Sequence, residues 1–253
     1  MRLRRFVVLF VVCFFQLSIA QAAELETVII EVEGDVQESR EHIETYHPFI
    51  EVVAVYDTLF QGIALQGRPE HLKRVHEEDF IKGIHGVHMY ESAPLLETEE
   101  KESEPPVISD TYTGKNIKVA VIDTGVDYTH PDLAPNYSGG YDVYDMDEDP
   151  METTPEEGMP TVHGTHVAAI IAANGELEGV AKDASIYAYR ALGPGGFGTT
   201  VHVLAALEQA IRDGVDIINL SLGNSVNGPD YPTSTAVDKA VELGVPVVIA
   251  NGN

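Results

Sequence analysis

The sequence contains one cysteine, Cys13, and no tryptophan. One cysteine cannot form an intrachain disulfide, and Cys13 lies in the apolar first segment of the chain, so the remaining residues have no thiol chemistry. A disulfide-stapled scaffold and a cysteine-dependent enzyme are therefore excluded. The fold must be stabilised by its hydrophobic core or by bound ions.

Basic residues are also scarce. Lysine and arginine together number 15 against 41 aspartates and glutamates, which gives a formal net charge of −26. Nucleic-acid binding requires a basic face that meets the phosphates, so this balance argues against nucleic acid as a partner. The 44% hydrophobic and 22% charged fractions are those of an ordinary globular protein. The acidic excess suits a soluble extracellular protein or one that binds cations.

A long apolar run occurs only at the start of the sequence. Residues 1–5 carry three arginines, Phe6 to Ile19 is apolar, and residues 20–22 resemble a cleavage site, a pattern that predicts a signal peptide over residues 1–22. The apolar run is shorter than the roughly 20 residues that a membrane span needs, and an uncleaved N-terminal anchor is the alternative. We therefore expect a secreted protein, extracellular or associated with the cell wall, with no membrane contact after signal cleavage.

Residues 24–92 predict a small α+β domain. The pattern has the order β-α-β-β-α-β, which is the split arrangement of a ferredoxin-like sandwich. The predicted strands cover residues 27–32, two segments within 51–65 that divide near Asp57, and residues 84–90; the predicted helices cover 36–46 and 69–80.

Residues 93–115 predict an exposed linker, since the run from Glu97 to Pro106 is acidic, has no apolar residue and ends in two prolines. From residue 116 onward strands and helices alternate, which predicts an α/β domain with a parallel sheet flanked by helices over residues 116–253. The predicted strands cover 117–122, 185–191, 216–220 and 245–250, and the predicted helices cover 164–173, 200–214 and 235–243.

A polar or glycine-rich segment follows each predicted strand of this sheet. These segments are Asp123-Thr124-Gly125, Leu192 to Gly196, Ser221-Leu222-Gly223 and Asn251-Gly252-Asn253, and a fifth, His163 to His166, begins a helix. Ligands of open parallel sheets bind outside the carboxyl ends of the strands, so an aspartate, a histidine and an asparagine are expected to converge there. They are the parts of an acyl-transfer site, whereas an aspartate alone at a strand end is more often a turn or cap residue.

Four segments carry motifs in a consistent order and spacing. They are Val119 to Asp127 with His130 to Leu133, His163 to Ala168, Asn219 to Gly223, and Ala250 to Asn253. Together they resemble the aspartate, histidine, substrate-binding and oxyanion motifs of the subtilisin family of serine proteases, although Ala169 stands where that family usually has glycine. Residues 189–196 and 221–225 resemble the Vpr-type minor extracellular proteases of bacilli, and residues 24–92 resemble the family's inhibitor I9-type propeptide.

The resemblance implies a serine endopeptidase made as a zymogen, with no cofactor required. His163 would take a proton from a serine hydroxyl and return it to the leaving amine, and Asp123 would hold His163 in the right tautomer. Asn253 would donate a hydrogen bond to the oxyanion.

The resemblance also implies a cleft that binds polypeptide substrates as an extended strand. Its two edges would be formed by Leu192, Gly193 and Gly196 on one side and by Ser221, Leu222 and Gly223 on the other. The propeptide would occupy the same cleft, through a segment near Val87 to Glu91, until it is cleaved.

The family's serine belongs to a Gly-Thr-Ser-Met/Ala motif downstream of the asparagine segment, and residues 1–253 do not contain that motif. Ser234 precedes the last predicted strand and is expected to cap a helix. We therefore interpret residues 116–253 as the N-terminal part of a catalytic domain, inactive by itself. One alternative is a catalytically dead fragment that binds or inhibits an intact subtilase. A weaker one is a nucleotide-binding α/β module, which would need a glycine-rich phosphate motif that is missing here.

Three groups of residues bear on metal binding, with calcium a possible ion. No zinc-protease glutamate follows His163 and His166, so His166 is expected to be a packed helix residue. Asp132 matches a calcium ligand of many relatives, but the stretch over residues 174–179 is short for the ion-binding loop. A third group offers the oxygen ligands that calcium prefers, although a solvated acidic turn fits equally well. This group is Asp142, Asp145, Asp147, Glu148 and Asp149.

Overall fold

The computed structural model describes residues 25–92, 111–226 and 228–250. The predicted signal peptide, most of the predicted linker and Asn253 lie outside these residues. Within the described segments, no helix combines the length and the apolar character that a membrane span requires.

The first part of the described chain is a four-stranded antiparallel sheet with two helices. Its elements are β1 (Glu26–Val32), α1 (Val36–Tyr46), β2 (Glu51–Tyr56), β3 (Gly62–Gly67), α2 (Pro69–Val75) and β4 (Ile81–Gly86). The strand order β2-β3-β1-β4 confirms the predicted ferredoxin-like arrangement. Helix α2 ends before the predicted residue 80, because the backbone N–H groups of Glu77 and Glu78 donate to carbonyls three residues back and turn the chain.

The small sheet is apolar on both faces, since successive side chains of a strand point to opposite faces. Ile30 of β1 packs with Ile43 of α1 and Leu72 of α2 on the helix face. Ile29 faces the other way and joins a core that includes Leu204 from the second part of the chain. The first part is therefore packed onto the second part by the face that its own helices leave free.

The second part is an α/β layer structure. After β5 (Met89–Ser92), its elements are β6 (Lys118–Asp123), β7 (Tyr137–Asp142), α3 (His163–Ala172), β8 (Ser185–Arg190), β9 (Phe197–Thr199), α4 (Thr200–Arg212), β10 (Ile217–Leu220), β11 (Leu222–Gly223), α5 (Pro232–Glu242) and β12 (Val247–Ile249). Five strands form one sheet in the order β12-β10-β6-β8-β7, and every pair is parallel. The predicted parallel sheet flanked by helices is confirmed.

Strand β7 was not predicted, because Tyr137 to Gly140 includes a serine and two glycines, which are poor strand formers. The strand nevertheless pairs with β8 along the edge of the sheet. Position 140 requires glycine, because it lies so close to the backbone of Ala188 that a side chain has no room there.

A short three-stranded sheet, in the order β11-β5-β9, joins the two parts of the chain. Strand β5 is antiparallel to both neighbours, pairing Tyr90 with Gly198 and Ser92 with Leu222. The single strand predicted over residues 84–90 is therefore wrong in detail: β4 closes the small sheet, and β5 leaves it to pair with the second part.

One carboxylate fixes the packing of the two parts. Glu208 of α4 is 2% exposed and accepts hydrogen bonds from the backbone N–H groups of Thr58, Leu59 and Phe60. Arg212 of the same helix donates to Glu208 and to Asp57. The buried charge is thereby surrounded by donors, as a buried carboxylate requires.

Alanine at Gly140 should destabilise the protein more than alanine at Gly139. Both glycines have positive φ, 147° and 137°, which costs another residue about 1–3 kcal/mol. A Cβ at Gly140 would lie 1.8 Å from the Ala188 carbonyl oxygen, whereas one at Gly139 would lie 3.8 Å from the Tyr187 ring. We expect a clearly lower melting temperature for Gly140→Ala in thermal circular dichroism. Equal melting temperatures would contradict the steric explanation.

Candidate active site

Asp123 is the last residue of β6 and is fully buried. Its Oδ1 accepts hydrogen bonds from the Thr124 N–H at 2.7 Å and from Nδ1 of His163 at 2.8 Å. Its Oδ2 is buried and has no partner among the described residues. The structure thus brings the predicted aspartate and histidine together at the carboxyl edge of the parallel sheet.

His163 is the first residue of α3, and its side chain is 12% exposed. A carboxylate only accepts hydrogen bonds, so Nδ1 carries the proton that His163 shares with Asp123. Nε2 is then the basic nitrogen, and it can exchange a proton on the other side of the ring.

The start of α3 is held by neighbouring loops and has no capping side chain at Val162. The N–H of Gly164 donates to Oγ1 of Thr124 at 2.9 Å, and the N–H of Thr165 donates to Oε1 of Glu152 at 2.8 Å. These bonds satisfy N–H groups that a helix start leaves unpaired. They also fix the position of His163 relative to Asp123.

Two glycines allow close backbone contacts of the loop after β6, one of them with the start of α3. A Cβ at Gly164 would lie 2.1 Å from the Gly125 carbonyl oxygen, and Gly125 itself has a φ of 113°. A side chain at Gly164 would push α3 away from β6, whereas one at Gly125 would collide with the backbone of Met151 and Glu152. The Asp123–His163 distance therefore depends on Gly164.

Acidic neighbours shift the titration of His163. The hydrogen bond to Asp123 raises the pKa of His163, and the charges of Asp123 and Glu152 raise it further, while partial burial opposes them. The imidazolium form of His163 is thus stabilised at the place where a general base would become charged.

The predicted cleft residues lie on both sides of β5, with one correction. The strand that pairs with β5 opposite β11 is β9, residues 197–199, and not Gly193 to Gly196. Pro194–Gly196 form a 3₁₀ turn just before β9, and Gly193 precedes that turn. Gly196 has a φ of 80°, and a Cβ there would lie 2.4 Å from Oγ of Ser92.

The remaining predicted cleft residues have different surroundings. Leu192 is buried in the core, and a Cβ at Gly193 would lie 2.4 Å from the Tyr144 ring. Ser221 precedes β11, and its Oγ accepts from the side chain of Asn219. Of these residues, Leu222 and Gly223 pair directly with β5.

A cavity of about 430 Å³ lies beside β5. Its lining includes Tyr90, Val203, Leu220 and Val237. The Tyr90 side chain is buried, and its hydroxyl lies 2.8 Å from Oγ1 of Thr233. Thr233 and Asp238 also line the cavity, so its wall is partly apolar and partly polar, and Tyr90 of β5 forms one side of it.

Two sequence expectations about other residues are wrong. His166 is exposed on α3 and is not packed. Ser234 does not cap α5: the helix begins at Pro232 after Tyr231, so Ser234 lies within its first turn. Proline at the first helical position is a common start signal, and it identifies the earlier boundary.

The residues around Asp132 do not fit a calcium ion. Its Oδ1 accepts from the N–H of Glu176 at 2.9 Å, and its Oδ2 accepts from the N–H of Leu177 at 3.2 Å. The loop after α3 therefore presents hydrogen-bond donors to this carboxylate, where a calcium site would present further oxygen ligands.

The acidic turn after β7 surrounds an arginine. Arg190, the last residue of β8, is 4% exposed and donates to Asp142 at 2.5 Å, to Asp145 at 2.6 Å and to Thr153 at 2.9 Å. The Arg190 guanidinium thus lies between the carboxylates that were considered as calcium ligands. The side chain of Asp147 accepts a hydrogen bond from the Asp149 N–H, and the side chain of Asp149 accepts one from the Tyr128 hydroxyl. Glu148 is exposed.

Sequence reasoning missed Glu152 and Arg190 as parts of the site. Glu152 is buried and supports the start of α3, but nothing in its loop marks it among 41 acidic residues. Arg190 had a usable signal, because a charged residue at the end of a buried strand needs an acidic partner nearby.

Comparison with known families agrees with this geometry. The subtilase family, peptidase S8, matches residues 114–253, more than half of the chain. The chain therefore belongs to the subtilase family.

Among curated proteins, the minor extracellular protease Vpr of Bacillus subtilis (strain 168) is 58% identical over 146 residues, which is 56% of this chain and 18% of Vpr. Subtilisin E of the same organism is 36% identical over 243 residues, 94% of this chain and 56% of subtilisin E. The chain thus spans about half of subtilisin E and less than a fifth of Vpr.

Among solved structures, fervidolysin from Fervidobacterium pennivorans, described as a keratinolytic enzyme related to subtilisin, matches with a TM-score of 0.69 at 21% identity, covering 91% of this chain and 40% of fervidolysin. The epidermin leader peptide processing serine protease of Staphylococcus aureus matches with a TM-score of 0.64 at 23% identity, covering 91% and 60%. These two structures support the fold.

Replacing Asp123 with asparagine should lower the pKa of His163, measured by NMR titration of its ring. The Asp123→Asn change removes the hydrogen bond that contributes most to the raised pKa, whereas Glu152→Gln removes only a more distant charge. We expect a larger decrease for Asp123→Asn than for Glu152→Gln.

The raised pKa also sets a stability trend in the parent chain. The stabilisation from the charged pair is fully present below about pH 6.5, the ordinary histidine pKa, and is lost as pH rises through the folded-state pKa of His163. An equal or larger decrease of this pKa in Glu152→Gln would show that Asp123 is not its main cause.

Proposed function

We propose that this chain is part of a secreted zymogen of a serine endopeptidase. The observation that carries the proposal is the buried Asp123–His163 pair, with atoms 2.8 Å apart, at the carboxyl edge of the sheet in a chain of the subtilase family. The nucleophile would be the serine of a Gly-Thr-Ser-Met/Ala motif outside residues 1–253. Without it, residues 1–253 would not hydrolyse peptides.

In the proposed reaction the serine oxygen attacks the carbonyl carbon of the peptide, and His163 Nε2 takes the hydroxyl proton. His163 then gives this proton to the leaving amine nitrogen, and a water molecule repeats the sequence to release the acyl group. Asp123 holds the Nδ1–H tautomer and stabilises the imidazolium. Asn253 would donate to the oxyanion, a role that the family motif suggests.

Residues 24–92 would act as a propeptide that occupies the substrate cleft. Strand β5 supports this, because β9 and β11 pair with its backbone on both sides as they would with an extended polypeptide substrate. Tyr90 would hold the place of a substrate side chain beside the cavity that it lines. The contacts of Glu208 with residues 58–60 would keep the propeptide in position until it is cleaved.

Secretion is part of the proposal. It is supported by the predicted signal peptide over residues 1–22 and by relatives such as Vpr, whose name describes an extracellular protease. Catalysis by the Asp–His pair and a serine needs no cofactor. The two places where calcium was considered, Asp132 and the acidic turn after β7, accept hydrogen bonds from protein donors instead.

The coding sequence beyond codon 253 tests the proposal, and we expect it to continue through Gly-Thr-Ser-Met/Ala. The protein made with that continuation should hydrolyse a peptide substrate, and His163→Ala should lower kcat by roughly 10⁴-fold or more. His166→Ala is the matched control, since His166 is exposed on the same helix, and it should leave kcat unchanged.

Hydrolysis by residues 1–253 alone that His163→Ala abolishes would contradict the need for a further serine. A stop codon directly after Asn253 with no partner chain would favour the alternative function, a dead fragment that inhibits an intact subtilase.

Tyr90→Ala should release β5 from the cleft. Burial of a large aromatic side chain contributes about 3 kcal/mol or more, so we expect amide hydrogen exchange across residues 89–92 to become about 100-fold faster. Met89→Ala is the control, because Met89 is 57% exposed on the same strand. Similar exchange rates in the two variants would show that the pocket does not hold this segment.

A further inference from the structure

Two histidines and a glutamate meet on the helix face of the first domain, away from the Asp123–His163 pair. His42 Nε2 lies 3.1 Å from Oε2 of Glu78, and His47 Nε2 lies 2.7 Å from Oε1 of the same carboxylate. The three ligand atoms lie within 4.8 Å of one another. Within residues 25–92, 111–226 and 228–250, no other group of three or more histidine, cysteine or acidic side chains brings its ligand atoms this close together.

The local fold creates this cluster. Residues five apart on an α-helix point about 140° away from each other, so the spacing of His42 and His47 does not by itself suggest a shared site. Helix α1 ends at Tyr46, however, and His47 leaves helical geometry with φ −122° and ψ 62°. Its ring can therefore approach that of His42 over Glu78, which lies in the turn between α2 and β4.

The three side chains are held in place yet reachable from solvent. The ring of His42 packs against Tyr46 at 4.6 Å and edge-on against Phe80 at 5.4 Å between centroids. The side chains of His42, His47 and Glu78 are 38%, 12% and 26% exposed. Such partial burial restricts the rotamers of the ligands while leaving an open side for an ion and a water molecule.

We propose that His42, His47 and Glu78 bind a zinc-type divalent cation, with water as the fourth ligand. Two imidazoles and one carboxylate are a ligand set that zinc accepts, whereas calcium and magnesium prefer oxygen ligands. Tetrahedral zinc bonds of about 2.0–2.2 Å place neighbouring ligand atoms about 3.3 Å apart. The two imidazoles lie 3.1 and 2.7 Å from different oxygens of Glu78, so the three side chains separate slightly to admit the ion. Each histidine binds through Nε2, so its remaining ring proton resides on Nδ1.

The position of the His42–His47–Glu78 cluster indicates that a bound ion would stabilise the first domain. Helix α1 packs on the face of the small sheet opposite the one that faces α4. The cation therefore links the end of α1 to the turn after α2 and stabilises the fold of residues 25–86. It contacts neither the cleft nor the Asp123–His163 pair.

The test is a zinc titration of the whole chain after removal of bound metal with a chelator, in excess magnesium. We expect one zinc ion per chain and a rise in melting temperature on binding. His42→Gln and His47→Gln should each weaken zinc binding by about 10-fold or more. His76→Gln, which changes an exposed histidine just after α2, should bind as the parent does. Cobalt should give the absorption of a tetrahedral site, which the double variant at 42 and 47 loses.

Zinc affinity of the double variant equal to that of the parent would overturn the proposal, as would no binding of zinc by the parent at millimolar concentration. If either histidine variant fails to fold, Glu78→Gln decides instead, because it retains the shape and hydrogen-bonding capacity of Glu78. Unchanged zinc binding by Glu78→Gln would then reject the site. None of these results depends on peptide hydrolysis, so they leave the proposed function to its own test.

Discussion

The buried carboxylate of Asp123 at the end of β6 is the constraint on which the rest of the site depends. Hydrogen-bond donors stabilise a carboxylate without solvent contact, and here the Thr124 N–H and the imidazole of His163 both donate to Oδ1. Bringing that imidazole to the strand end brings the start of α3 against the loop after β6. No side chain fits between them at position 164, which is why that residue is glycine.

The same edge of the sheet also produces the cleft. Strands β8 and β10 lie on either side of β6, and the segments that leave them, β9 and β11, are separated by the width of one further strand. Backbone pairing makes that gap selective for extended chain but indifferent to most side chains. The buried Tyr90 side chain, whose hydroxyl lies 2.8 Å from Oγ1 of Thr233, adds one side-chain contact to the backbone pairing that holds residues 89–92 in this gap.

The sequence predicted most of this arrangement where periodicity or strand-end rules apply. Helix α1 has its predicted bounds, and the Asp123–His163 contact follows from the rule that parallel strands present their carboxyl ends at one edge. The misses have local causes. Strand β7 was missed because glycines are poor strand formers. The change of pairing partner between β4 and β5 has no periodicity signal. Glu152 joins the site through its contact with Thr165, which only the folded chain defines.

The acidic excess of the chain has a structural use that composition alone did not reveal. Several carboxylates are buried, and each accepts hydrogen bonds from protein donors: Asp132 from the loop after α3, Asp142 from Arg190, Glu152 from Thr165, and Glu208 from residues 58–60. These donors occupy carboxylate oxygens that would otherwise be free to bind a cation. Acidic segments of the sequence are therefore weak evidence for calcium here. At Glu78 the hydrogen-bond partners are two imidazoles, and their nitrogens can themselves bind zinc.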